Sequence, residues 1–209
     1  MSIVSAAEIP TLSLLYHLKK LVPATLDEDN PPLQPSKSFN DRIGVFRGDI
    51  TRLELDAIVN AANNSLMGGG GVDGAIHRAA GPRLVMECSR LNGCDTGSAK
   101  ITDAYDLPCE KVIHAVGPVY DSHNKLGVAS LLAGCYATSL RLAVQNDCKS
   151  IAFSALSTGI YGYPSNAAAH VAIRTVRNFL AGPDGDKLEK VVFCTFVQKD
   201  VDAYNHWLP

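Results

Sequence analysis

From residue 43 onward, short apolar runs rich in β-branched residues alternate with longer stretches whose apolar side chains recur every three or four positions. Residues 43–46, 57–60, 111–116, 151–156 and 191–197 read as strands, and several are apolar throughout, the pattern of strands covered on both faces. Residues 100–105 form a weaker run, as expected of an edge strand. Helical spacing runs over 74–80, 83–91, 128–145, 167–180 and 201–207. Strands alternating with helices predict an α/β fold, a three-layer α/β/α sandwich around a largely parallel sheet.

The first forty residues differ. Leu14, Leu18 and Leu21 fall at helical spacing within 11–21, predicting a short amphipathic helix whose stripe packs on the domain. The run Asp27-Glu28-Asp29-Asn30-Pro31-Pro32, with Pro35 after it, suits a linker or extended arm, because adjacent prolines do not continue a regular element. This divides the chain into an extension, 1–40, and a domain, 41–209.

The net charge of −2 offers no basic stripe, so direct nucleic-acid binding is not expected. No apolar run is expected to reach the roughly 20 residues of a membrane span, and the N-terminus lacks the basic and apolar regions of a secretory leader. Cytoplasm or nucleus is the expected location, with an organelle left open. The cysteines (Cys88, Cys94, Cys109, Cys135, Cys148 and Cys194) form no C-x-x-C pair and read as reduced core residues. The histidines are scattered, so no metal is indicated.

Ligands of open α/β sheets bind beyond the carboxyl ends of strands, which turns attention to three loops. In the first, Arg47-Gly48-Asp49-Ile50-Thr51, the bland reading is a turn capped by Asp49. The second, from Asn60 to Gly74, carries Gly68-Gly69-Gly70-Gly71 ahead of a helix. Four glycines let bare backbone N–H groups approach something bulky and anionic, and the helix start adds its positive end, so a phosphate is the natural guest. Asp73 there reads as a helix N-cap when taken alone. With Asn60 and Asn63 it instead makes a polar cluster suited to a sugar. His77, one turn after Asp73, reads as a packed or orienting imidazole rather than a base. Gly69 to Gly74 also spells G-x-G-x-x-G, but the eight residues 61–68 separate it from the strand, against a Rossmann dinucleotide site. The third loop, Ser157-Thr158-Gly159-Ile160-Tyr161-Gly162-Tyr163-Pro164, offers further backbone donors for a pyrophosphate.

These segments together resemble the macrodomain family, specifically the MacroD-type ADP-ribosylhydrolases. The resemblance lies in Gly48-Asp49-Ile50-Thr51, Asp56-Ala57-Ile58-Val59-Asn60-Ala61-Ala62-Asn63 and Gly68-Gly69-Gly70-Gly71-Val72-Asp73-Gly74-Ala75-Ile76-His77-Arg78-Ala79-Ala80-Gly81. It continues in Thr96-Gly97-Ser98-Ala99-Lys100-Ile101-Thr102, Val112-Ile113-His114-Ala115-Val116-Gly117-Pro118, the Ser157 to Pro164 loop and Val192-Phe193-Cys194. It implies a macrodomain with a mixed, largely parallel sheet and an ADP-ribose pocket. Asp49 and the Ile50 backbone would recognise adenine, with Phe196 packed against it. Gly71, Val72, Ser157, Thr158, Ile160 and Tyr161 would contact the pyrophosphate and ribose, and Asn60, Asn63 and Asp73 the distal ribose. Asp73, Asn63 and Gly159 would form the catalytic set.

The implied activity is removal of mono-ADP-ribose from acidic residues of proteins, with deacetylation of O-acetyl-ADP-ribose alongside, by a metal-independent monomer that needs no cofactor. Its partners would be mono-ADP-ribosylated proteins, ADP-ribose and O-acetyl-ADP-ribose. An ADP-ribose reader without turnover and an ADP-ribose 1″-phosphatase are the rivals. Ser154 stands where relatives usually carry proline and is expected only to soften a buried strand end.

Overall fold

The computed structural model describes residues 2–21 and 36–208. In chain order the elements are β1 (Val4–Ser5), α1 (Leu12–His17), α2 (Lys37–Asn40), β2 (Ile43–Arg47), β3 (Leu53–Glu54), β4 (Ala57–Ala61), α3 (Gly71–Ala80), α4 (Pro82–Arg90), β5 (Ser98–Asp103), β6 (Lys111–Val116), α5 (Lys125–Gln145), β7 (Ser150–Phe153), α6 (Ser165–Leu180), β8 (Lys190–Thr195) and α7 (Gln198–Trp207). The main sheet runs β2-β8-β7-β4-β6-β5. All its pairings are parallel except β5 against β6 at the edge.

Successive strand residues point to opposite faces, and this divides the interior in two. Ala57, Val59, Ile113, Ala115, Ile151, Phe153, Val191 and Phe193 join one core with the inward faces of α5, α6 and α7. Ile58, Val112, Val116, Ala152, Val192 and Cys194 join a second with Ile76, Ala80, Leu84 and Cys88 of α3 and α4. The same alternation turns Asn60 of β4 and His114 of β6, paired in register, toward the α3 and α4 layer.

Several expectations are corrected. By length and composition α5 is apolar enough to cross a membrane, contrary to the reading that no such run exists. Its apolar residues Val128, Leu132, Cys135, Tyr136, Leu140 and Ala143, on one helical face, are core of the α/β sandwich. The stripe of Leu14, Leu18 and Leu21 is not one face. The helix ends at His17, and Lys19 takes a positive φ of 56° that turns the chain. Leu12 and Leu21 are therefore buried while Leu14 and Leu18 stay exposed. Most of the proline-bearing arm lies outside the described residues. Ser154 does not soften its strand end. Its N–H and its hydroxyl both donate to the Val59 carbonyl, at 3.3 and 2.8 Å, carrying the β4–β7 pairing one step beyond β7. All six cysteines are buried and unbridged.

Candidate active site

The loops after β4, β6 and β7 meet at the carboxyl end of the sheet around a cavity of about 210 Å³, whose lining includes Asn63, Gly70, Asp73, Gly117, Ser157 and Tyr161. The loop after β4 is shaped by Asn63. Its Oδ1 accepts from the Ser65 N–H at 3.0 Å and the Ser65 hydroxyl at 2.6 Å, while Nδ2 donates to the Gly68 carbonyl at 3.0 Å. Helix α3 then begins at Gly71 rather than Gly74, with Gly70 as N-cap and no side chain capping it. The N–H groups of Gly71, Val72 and Asp73 are thus first-turn donors at the cavity wall.

The earlier start corrects the reading of Asp73 as a cap. It sits inside the first turn, only 4% exposed, and still lines the cavity. Its Oδ1 accepts from Asn60 Nδ2 at 2.7 Å and lies 3.4 Å from His77 Nε2. A side chain at Gly69 would begin 3.1 Å from Asp73 Oδ2 and 3.2 Å from Asn63 Nδ2. Glycine there leaves that carboxylate oxygen uncovered.

The opposite wall is the 157–163 loop. Ser157 holds a left-handed φ of 64°, and its hydroxyl is buried without a partner among the described residues. A Cβ on Gly117 would come within 2.1 Å of that hydroxyl, so only glycine fits beneath it. The Tyr120 N–H donates to the Tyr161 carbonyl at 2.8 Å, joining this loop to the exit of β6. From behind, the Asp200 carboxylate accepts from Thr158 at 3.2 Å and Ser165 at 2.6 Å, tying the loop to the starts of α6 and α7.

Of the residues expected at the site, Asn63, Gly71, Val72, Asp73, Ser157, Gly159, Ile160 and Tyr161 line the cavity. Asn60 and His77 lie behind Asp73, and Thr158 is turned to Asp200. Asp49, Ile50 and Phe196 lie outside the cavity, just beyond the paired ends of β2 and β8, where Arg47 faces Thr195. Asp49 already serves as a turn cap, its Oδ1 accepting from the Thr51 N–H at 3.0 Å and hydroxyl at 2.7 Å. Phe196 is 74% exposed, available to cover a flat group at that end.

Sequence reasoning gave no role to His114, which is fully buried below Asn60 with Nδ1 3.2 Å from Asn60 Nδ2. Burial, and then the neighbouring His77 charge, push its pKa down to about 3. Burial, with Glu87 and Asp73 nearby, pushes the Cys88 thiol up to about 11. The ligand atoms of His77, Cys88 and His114 lie within 4.8 Å of one another, a grouping that the scattered histidines of the sequence hide.

The Macro domain family model matches residues 59–172, which hold the glycine loop, Asp73 and the 157–163 loop. The chain belongs to the Macro domain family. The macro domain-containing protein CT2219 of Chlorobaculum tepidum is 58% identical over 165 residues, covering 79% of this chain and 94% of that protein. ADP-ribose glycohydrolase MACROD2 of Xenopus laevis is 50% identical over 206 residues, 98% of this chain but 48% of that protein. The chain spans about half the length of that relative or less for its mammalian counterparts. The Trypanosoma brucei macrodomain solved with ADP-ribose superposes with a TM-score of 0.83 at 36% identity, covering 100% of this chain and 78% of that one.

Proposed function

We propose that this macrodomain binds ADP-ribose and hydrolyses mono-ADP-ribose esters of acidic protein residues, with O-acetyl-ADP-ribose as a second substrate. The observation that carries the reading is Asp73, a nearly buried carboxylate on the wall of a cavity that the first turn of α3 also lines. Relatives named ADP-ribose glycohydrolase and a structural neighbour solved with ADP-ribose support it.

In this reading the pyrophosphate lies between the α3 first turn and the 157–161 loop, where opposed N–H groups meet its charge. That placement sets the distal ribose against Asn63 and Asp73, and adenine against Asp49, Ile50 and Phe196. Binding along the whole ligand fixes C1″ for attack. Water adds at C1″, the bond from C1″ to the ester oxygen breaks, and the protein carboxylate leaves with the bonding pair. The water proton passes to Asp73 or a substrate phosphate oxygen, and the products are ADP-ribose and the free acidic side chain. A carboxylate is a weak base at neutral pH, so Asp73 acts as much by holding the water as by taking its proton. The leaving group is itself a carboxylate, and the step calls for no metal or cofactor.

The test is release of free ADP-ribose from a protein mono-ADP-ribosylated on acidic residues, with chelator present. Asp73→Ala should cut the single-turnover rate by ~100-fold or more while ADP-ribose still binds. Binding without release by the wild type would mark a reader, and an Asp73→Ala variant as fast as wild type would discard the mechanism.

A further inference from the structure

The Asp73 carboxylate is reached from behind by a chain of buried polar groups that the proposed reaction does not use. Asn60 Nδ2 stands 2.7 Å from Asp73 Oδ1 and 3.2 Å from His114 Nδ1. On the far side of the same imidazole, His114 Nε2 lies 3.0 Å from Thr102 Oγ1, which lies 3.4 Å from the Val112 carbonyl. Asn60, His114 and Thr102 are each at most 3% exposed, so bulk solvent does not reach these bonds.

The donor count has one solution. An amide nitrogen only donates, so both Asn60 N–H groups are used, one to Asp73 and one to His114 Nδ1. The reversed amide would set Asn60 Oδ1 against the Asp73 carboxylate, two acceptors at 2.7 Å. His114 Nδ1 therefore accepts, and the ring proton sits on Nε2, donating to Thr102 Oγ1 at 3.0 Å with Cys88 Sγ at 3.6 Å beside it. Thr102 then donates to the Val112 carbonyl. This arrangement leaves Asn60 Oδ1 buried without a partner among the described residues, a cost that persists because both Asn60 neighbours are at its nitrogen. The protonated Nε2 also has no lone pair for a cation, so the His77, Cys88 and His114 grouping, as hydrogen-bonded, is not poised as a metal site.

We infer that His114 is a positioning residue for hydrolysis: its Nε2-protonated imidazole fixes the Asn60 amide, and the amide holds Asp73 Oδ1 so that Oδ2 faces the cavity. The inference rests on the hydrolase reading above. It explains why a strand buried among apolar neighbours carries histidine directly opposite Asn60 in the β4–β6 register. The neutral state follows from the surroundings: His77, Cys88, Lys100 across the β5–β6 register with its Nζ bonded to the Leu91 carbonyl, and, through Asn60, Asp73 are titratable groups near this point, and burial keeps the ring uncharged.

Two substitutions separate positioning from packing. In His114→Asn an amide oxygen takes the place of Nδ1 and still accepts from Asn60. In His114→Gln the longer amide reaches toward Thr102 but leaves no acceptor at the Nδ1 position. His114→Gln should lower the single-turnover rate by about 10- to 100-fold, the size expected of a misplaced catalytic group, with ADP-ribose affinity within about threefold of wild type. His114→Asn should recover most of that rate. Equal losses in the two variants, or none in His114→Gln, would reduce His114 to packing and overturn the inference. A wild type that releases no ADP-ribose would overturn the hydrolase reading and this one with it. Should either variant fail to fold, nitrogen-15 spectra of the wild-type imidazole decide. The Nε2-protonated tautomer, unchanged between about pH 5 and about pH 8, is expected, whereas an Nδ1-protonated or titrating ring would overturn the assignment.

Discussion

Asp49 commits one carboxylate oxygen to Thr51, and the other has no hydrogen bond among the described residues, so the turn reading and the adenine reading of this residue are compatible. Substitutions can separate them. Asp49→Asn keeps an oxygen for Thr51 and loses the charge. It should weaken ADP-ribose binding in calorimetry by about 1.5–3 kcal/mol and leave the melting temperature unchanged. Asp49→Ala should weaken binding similarly and also cost about 1 kcal/mol of stability through the lost cap. Wild-type affinity in both variants would remove Asp49 from the ligand. His114 gives a pH prediction at the same scale. Its pKa is about 3 in the fold against 6.5 for the free side chain, so the unfolded chain binds the proton first. Stability should therefore fall with decreasing pH between about 6.5 and about 3, by up to roughly 1.4 kcal/mol per unit from this group, and His114→Asn should flatten that slope in denaturant titrations. Asp73 was legible in sequence because its glycine loop and helix start are adjacent to it. His114 was not, because its partner Asn60 lies 54 positions away and only the strand register joins them.

At the scale of elements, the glycine loop and α3 fold as one unit. A Cβ on Gly74 would lie 2.4 Å from the Gly69 carbonyl oxygen, so the loop that uncovers Asp73 rests directly on the helix. Gly74→Ala adds a better helix former, worth about 1 kcal/mol, but the clash must move Gly69. ADP-ribose affinity should fall by about tenfold or more, because the N–H groups facing the pyrophosphate shift with it. Gly159 is the control: a Cβ there meets nothing within 4 Å, so Gly159→Ala should melt like wild type, and any loss of activity would report space needed by the ligand. Melting curves alongside calorimetry separate the two cases. The same packing explains why the predicted helix start fell three residues late. Gly71, Val72 and Asp73 carry weak helical signals, and their turn is set by contact with the loop rather than by periodicity.

For the whole molecule, alternating strands and helices made the layers legible, but not the order β2-β8-β7-β4-β6-β5, which depends on pairings between distant segments. Nor did it reveal the short β1–β3 pairing, because two-residue strands carry no period. The N-terminal segment is where this matters for stability. Ile9 and Leu12 are each 1% exposed, Thr11 bridges Gly44, and Lys190 Nζ donates to the Ile9 carbonyl at 2.6 Å. These contacts lie at the beginnings of β2 and β8, the opposite end of the sheet from the cavity. Leu12→Ala should thus cost about 2–5 kcal/mol, the range for emptying a packed leucine site. With roughly 2–4 °C lost per kcal/mol in a domain of this size, melting should fall by about 4–20 °C, and ADP-ribose affinity should hold. Removing residues 1–21 should lower the melting temperature further still. It also takes away β1, which pairs Val4 with Leu53 and Ser5 with Glu54 just past the Asp49 turn. The truncation should therefore weaken ADP-ribose binding where Leu12→Ala does not, because only the truncation releases the segment behind Asp49. Affinity lost equally in both would mean that the segment acts through global stability alone, and a truncation that melts like wild type would mean that its buried side chains contribute nothing to the core.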